Sequence, residues 1–344
     1  MANTNEQVFA AFRNKQPAKG LNVRSTGDRC YSYGLCIAVW TQCKGRDIVL
    51  LNGDRASVTT SSHQSALRSH GLYDHPTTSF SALSAAGLME QGDNWSHPGK
   101  LMPGVEVIDY TPDYHRWHDR EPEPCEVPYG ATVTKHSDTY YTVHRPGAIL
   151  FRQTLEYQEV ERPRIWTPWI PPRPYKDPHQ PSYIYTTKQR ALVPCQKYFI
   201  ASMDEGQYFV SQLPRPVQTV KQAFEALKPA LVRQWEQEGR EVLRQGEWFF
   251  APVCAQDYGI TTKAEWFRQA KAWRGERDHN GRAILPRFPG SNPHTVAQAV
   301  RVNGRLLVAG TVRHPQHRTL KLPGICVAIR NLSRGDWSAL GSVD

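Results

Sequence analysis

The 344-residue chain has no uninterrupted apolar run near the 18 or so residues that a membrane-crossing helix needs. Its first twenty residues, MANTNEQVFAAFRNKQPAKG, hold no apolar block of the kind that marks a secretory leader. Its seven cysteines (30, 36, 43, 125, 195, 254 and 326) form no CxxC pair. An odd count without metal-type spacing argues against a disulfide framework and for reduced thiols, so a cytoplasmic location is expected. Phosphate-binding P-loops, Gly-rich dinucleotide fingerprints and GxSxG elbows are all missing, and no cofactor is assigned. Zinc-finger spacing, leucine zippers, RNP-type aromatic motifs and fixed-period repeats are missing as well.

Excess charge is also missing from most of the chain. The formal net charge is +10. Residues 261–334 hold fourteen Lys or Arg against three Asp or Glu, a local balance of +11, so everything else sums to about −1. A concentrated basic surface attracts polyanions through long-range fields and counterion release. Nucleic acid is therefore the expected partner, and no membrane partner is expected.

Pro and Gly together number 50, which favours turns and short elements over long helices. GLCIAVW (34–40) and DIVLL (47–51) read as strands across a Gly-bearing turn, and SVTTSSHQSALRSHG reads as a capped helix stopped at Gly71. KYFIAS and QYFVSQL predict a hairpin, and GEWFFAPV (246–253) predicts a strand. Helices are expected from about Thr219 to Leu227 and across ALVRQWEQEGREV. In TTKAEWFRQAKAWRGER, Thr262 and Glu265 have capping-box spacing, while Trp266, Ala270 and Trp273 repeat at i, i+4, i+7 as one buried face. AQAVRV and RLLVAGTVRH flank Asn303-Gly304, a strong short-range hairpin signal.

The fold class that follows is α+β with mainly antiparallel sheet: a small N-terminal ββα unit, then a larger β-rich domain ending in a basic helix–hairpin module. The expected organisation is a flexible 1–20, the ββα unit at 21–75, an irregular connection at 76–138 and the β-rich domain at 139–334. Residues 261–334 form the basic module, and 335–344 a flexible tail. Residues 161–183 carry seven prolines and two tryptophans and are expected to form an extended arm, through which a protein partner could dock.

The chemistry-bearing cluster is Arg313, His314, Pro315, Gln316, His317 and Arg318 at the end of the predicted hairpin, with His294 able to converge from a neighbouring loop. Guanidinium groups suit phosphates, and a histidine pair can serve as general base and general acid at a phosphodiester. The candidate catalytic residues are thus His294, His314 and His317. Candidate nucleic-acid contacts are Arg268, Lys271, Arg274, Arg313, Arg318 and Lys321. HRTLKL (317–322) and HQS (63–65) offer two His-x-Thr/Ser copies, but the second falls in a predicted helix. HRWHD gathers His115, His118 and Asp119, and His314 and His317 stand three apart. Neither group has secure ligand spacing, so no metal is assigned.

YSYGLCIAVW, SVTTSSHQSALR, RQGEWFFAPV and VNGRLLVAGTVRHPQHRTLKL resemble blocks in uncharacterised proteins of bacteria, phages and plasmids. The resemblance covers about a fifth of the chain, implies a phage or plasmid setting, and assigns no site residue. The expected function is sequence-tolerant nucleic-acid binding through the C-terminal module. A histidine-dependent phosphodiesterase or nuclease, and an assembly protein using the Pro-rich arm, are the rivals.

Overall fold

A computed structural model describes residues 3–92, 96–127, 131–155, 158–163, 186–191, 195–204, 206–287 and 292–333. The chain is a mixed α+β protein built mainly on antiparallel sheets.

The larger sheet has ten strands. Its main path runs Pro17–Lys19, Val23–Thr26, Arg29–Ser32, Leu35–Cys43, Val105–Thr111, Ala148–Leu155, Cys195–Asp204 and Gln207–Gln212. Arg46–Asn52 pairs with Leu35–Cys43 and carries Thr77–Thr78 at its other edge. Two strand pairings are parallel, Cys43 with Val107 and Leu51–Asn52 with Thr77–Thr78, and Leu35 adds a single parallel bridge to His97; the other strand pairings are antiparallel. Both faces are buried, as the apolar run IVLL requires. Ile48 and Leu50 enter a core with Phe80, Leu83, Phe151, Ala223 and Leu227, while Val49 and Leu51 enter a second with Phe9, Phe12 and Leu67. Alternation along one strand thus feeds two helical layers.

Several boundaries expected from sequence are corrected. The first twenty residues are not frayed: Asn5–Arg13 is a helix with a reciprocal capping box. Thr4 Oγ1 accepts from the Gln7 N–H (3.3 Å), and Gln7 Oε1 accepts from the Thr4 N–H (2.8 Å). Val8, Phe9 and Phe12 lie on one face and are fully buried, which anchors a polar segment by three side chains. The strands Leu35–Cys43 and Arg46–Asn52, with the helix Val58–Ser69 behind them, do not stand apart, since they share their sheet with strands as distant as Gln207–Gln212. The stretch 76–138 is not wholly irregular. It supplies the Phe80–Ala85 helix, the Val105–Thr111 strand, and Tyr114–His118 and Thr132–Ser137 on either side of Tyr140–Arg145 in a three-stranded sheet. Of the Pro-rich arm, 161–163 end the strand Gln158–Pro163, paired with Thr186–Ala191. Residues 164–183 of the arm and 335–344 of the tail lie outside the described residues.

The C-terminal sheet has seven antiparallel strands in the order Leu243–Gln245, Trp248–Pro252, Cys326–Arg330, Arg305–Arg313, Thr295–Val302 and Ala283–Ile284, with Leu320–Lys321 added beside Arg305–Arg313. One face packs on the helices Ala230–Gln237 and Lys263–Lys271 through Val232, Trp235, Trp266 and Ala270. The other closes on an interior of Trp248, Phe250, Val296, Val308, Val312 and Leu322. Asn303 and Gly304 both have positive φ (48° and 74°), which two-residue hairpin turns require. Arg244 Nη2 meets Asp204 Oδ2 at 3.1 Å, and the Leu332 N–H donates to the Leu227 carbonyl, tying the two sheets together. No helix among the described residues is long and apolar enough to cross a membrane. The seven cysteines are free, with Cys30, Cys36, Cys43 and Cys326 buried.

Three histidines of the N-terminal half are held as neutral acceptors. His97 Nδ1 accepts from the Gly99 N–H (3.1 Å), while its Nε2 meets Ser84 Oγ (2.7 Å). His75 Nδ1 accepts from the Val49 N–H (3.2 Å), and His63 Nε2 lies 3.2 Å from Asn5 Nδ2. Burial lowers the pKa of each below the ordinary imidazole value. As pH falls below about 6.5 the unfolded chain takes up protons that the folded chain refuses, so the stabilisation present above that pH is lost. The urea unfolding midpoint should therefore drop between pH 7.5 and pH 5.5; a midpoint flat across that window would contradict this assignment.

Candidate functional site

Local pairing brings the three sequence-nominated histidines together. Thr295 lies opposite Arg313 across the hairpin, so His294 and His314 flank the last pair at one end of the sheet. Residues two apart on a strand share a face, and Val296 and Val312 belong to the buried interior. The two imidazoles therefore extend that interior rather than the surface. The turn Pro315–Gln316 brings His317 back against them. Ring centroids are 4.2 Å apart for His294 and His314, 4.7 Å for His314 and His317, and 5.6 Å for His294 and His317. His294 is 1% exposed, and His314 and His317 are 7% each.

A second turn packs on this cluster. Leu243–Gln245 and Trp248–Pro252 are joined by Gly246 and Glu247, and the Gln245 side chain donates to the Arg318 carbonyl. Gly246 has φ +55°, and a Cβ there would lie 2.8 Å from His317 Nε2 and 3.1 Å from His294 Nε2. Only a residue without a side chain lets the backbone approach two imidazole nitrogens so closely. Glu247 Oε1 stands 3.6 Å from His294 Nδ1. From the opposite side Arg282 clamps the strand ends, donating from Nε to Thr295 Oγ1 (3.2 Å) and from Nη2 to the Thr311 carbonyl.

Burial, and then the neighbouring His314 and His317, push the His294 pKa down to about 2, so this ring is neutral at physiological pH. His314 Nδ1 accepts from the Gln316 N–H at 3.2 Å. At 7% exposure each, His314 and His317 lie inside the end of the sheet and not on the cationic surface beside it.

The basic residues fall into separate groups. Arg313, Arg318 and Lys321 are exposed at or beside the histidine end. Lys263, Arg268 and Lys271 lie on the outer side of the Lys263–Lys271 helix, where Arg268 stands 3.8 Å from Glu265. Arg274 lines an open cleft of about 920 Å³ with Trp273, Arg287 and Arg301 over a floor that includes Leu285 and Pro286. Two cations are turned to structural use: Arg277 donates to the Gly281 and Ala270 carbonyls, and Arg282 forms the clamp above.

Sequence reasoning nominated His294, His314 and His317 correctly as neighbours. It missed Glu247 and Gly246, which it placed inside a strand; the Gly-Glu pair before an aromatic run was the available turn signal. It also missed Arg287 and Arg301. Trp273 lies beyond the helix, which ends at Lys271, and its half-buried ring packs against the sheet interior while bordering the cleft. The second half of the two-histidine motif does not join the site. His63 is buried in the N-terminal half, with Nδ1 at 2.8 Å from Ser32 Oγ. Compared with protein-family models, curated proteins and solved structures, the chain shows no match.

Gly246→Ala and Gly281→Ala separate backbone strain from crowding. Both replace a glycine of positive φ, but nothing lies within 4 Å of a Cβ at Gly281. Each should lose roughly 1 kcal/mol from left-handed strain, and Gly246→Ala should lose about 1–3 kcal/mol more from overpacking against the imidazoles. Equal unfolding free energies for the two variants would show that the turn does not press on the histidines.

Proposed function

We propose that the C-terminal module binds nucleic acid with little sequence preference and that the Trp273 cleft is where an unpaired segment is gripped. The observation that supports this most is the composition of that cleft: one aromatic ring and three guanidinium groups around an apolar floor. Base stacking on an aromatic face and cations tracking the backbone are the two ingredients of sequence-tolerant single-strand binding. Trp273 is held for this, because its Nε1–H donates to the Glu276 carbonyl (3.2 Å). Gly275 crosses so close that a Cβ would lie 2.4 Å from the ring. Arg274 and Arg301 take part in none of the ion pairs among the described residues, and the three guanidinium groups of the lining outnumber its single carboxylate, Glu276. Arg313, Arg318 and Lys321 extend the cationic surface toward the histidine end.

A second reading, hydrolysis of phosphodiesters, is favoured by the convergence of His294, His314 and His317 beside Arg313 and Arg318. Cleavage of DNA or RNA that disappears in His317→Ala while binding persists would promote it.

A salt series on single-stranded DNA checks the binding reading. With six phosphates contacted, log affinity should fall against log salt with a slope of about −4. Arg274→Ala and Arg301→Ala should each flatten the slope by about 0.7. Trp273→Leu, which keeps an apolar body, should weaken binding by about 1–3 kcal/mol with the slope unchanged. A flat salt response, or affinity indifferent to all three variants, would refute the proposal.

A further inference from the structure

Among the described residues one group brings three metal-capable side chains together, and it is the buried one. One ring nitrogen from each of His294, His314 and His317 lies within 4.8 Å of the others. His294 is 1% exposed, yet neither of its ring nitrogens makes a hydrogen bond to a described residue. Buried polar atoms are nearly always satisfied, so a nitrogen left without a donor or acceptor in a polar cluster points to a missing partner. The Nε2 atoms of His294 and His317 both stand about 3 Å from a single point, the place a Cβ on Gly246 would take. Both nitrogens therefore lie against the same turn, and the glycine keeps the space beside them clear.

We propose that His294, His314 and His317 are the ligands of a divalent transition metal, zinc foremost, and that Glu247 positions His294 for it. The donor set selects the metal. Imidazole suits zinc, copper and nickel, whereas calcium and magnesium demand oxygen ligands, which this trio does not offer. Zinc–nitrogen bonds of about 2.0–2.1 Å place tetrahedral nitrogens roughly 3.3 Å apart. The three nitrogens lie within 4.8 Å of one another, so the widest pair has to close by up to about 1.5 Å to reach that spacing. Glu247 Oε1, 3.6 Å from His294 Nδ1, is placed to hold the proton on Nδ1 and leave Nε2 for the metal, the usual outer-shell role of a carboxylate. Three protein ligands leave a fourth position for water or a phosphate oxygen, the pattern of catalytic rather than structural zinc. His314 adds an internal marker. Its Nδ1 accepts the Gln316 N–H at 3.2 Å, and ligation through either ring nitrogen ends that contact, since Nδ1 is then occupied or protonated.

The proposal does not rest on nucleic-acid binding, and its test uses neither nucleic acid nor turnover. The full chain, stripped with chelator, is titrated with Zn²⁺ alone by calorimetry and with Co²⁺ by visible absorption. One equivalent should bind, Co²⁺ should show the intense bands of a four-coordinate site, and the Gln316 amide resonance should move on Zn²⁺ addition. His294→Gln and His317→Gln should each weaken binding by about 100-fold or more, and Glu247→Gln by about 10–100-fold with stoichiometry kept. His118→Gln, a histidine outside the cluster, should change nothing. Zn²⁺ should raise the thermal midpoint of the wild-type chain and not that of the two ligand variants. Failure of the wild type to bind one equivalent, unchanged affinity in the ligand variants, or a Gln316 amide indifferent to Zn²⁺ would overturn the proposal. If a ligand variant does not fold, the wild-type Co²⁺ spectrum and the imidazole nitrogen shifts on Zn²⁺ addition decide the matter.

Discussion

The C-terminal half depends on the pairing of Thr295–Val302 with Arg305–Arg313. This hairpin lies between the helices Ala230–Gln237 and Lys263–Lys271 on one face and the Trp248–Phe250 interior on the other. Its turn is fixed by the positive φ of Asn303 and Gly304. Its far end carries His294 and His314 on adjacent strands, and the Arg301 end reaches the cleft with Trp273. A change in register would separate the imidazoles and turn valines outward, because side chains on a strand change face with every residue.

One irregularity in that pairing matters more than its regular part. Between Val296–Val312 and Gln298–Ala309 the register shifts, and Arg305–Arg313 carries one residue more than its partner. Gly310, at φ +93°, takes up the extra length. Val296 and Ala299, three apart in sequence, consequently both face the same interior, which an unbroken strand forbids. The bulge therefore re-aims the end of the hairpin, and with it His294 and His314, toward the buried side.

Charge and burial divide the labour. Exposed guanidinium and ammonium groups line the outside, where water screens them and a polyanion can reach them. The imidazoles sit inside, where burial keeps His294 uncharged. A buried imidazole does not reach a phosphate in solution as an exposed guanidinium does, so the arginines and the histidines of the motif Arg-His-Pro-Gln-His-Arg serve different surroundings. Alternation along a strand end and a tight turn achieve this within six residues.

The sequence by itself determined the elements whose signals are local. The Asn-Gly hairpin, the Thr262 cap, the helix before Pro229 and the clustering of positive charge after Thr261 all depend on residues within about ten positions of one another, where turn chemistry, capping and composition act directly. It also nominated the three histidines, since two share one turn and the third precedes the strand that pairs with it. Tertiary structure alone decided which way those histidines face, because a bulge and the Gly246 turn, drawn from a strand some fifty residues earlier, set their surroundings. It alone anchored the polar N-terminus, through three apolar side chains whose partners are distant strands. And it alone split the basic residues between a cleft, an outer helix face and the histidine rim, because the position of a cation in space follows from packing, whereas its position along the chain records only composition.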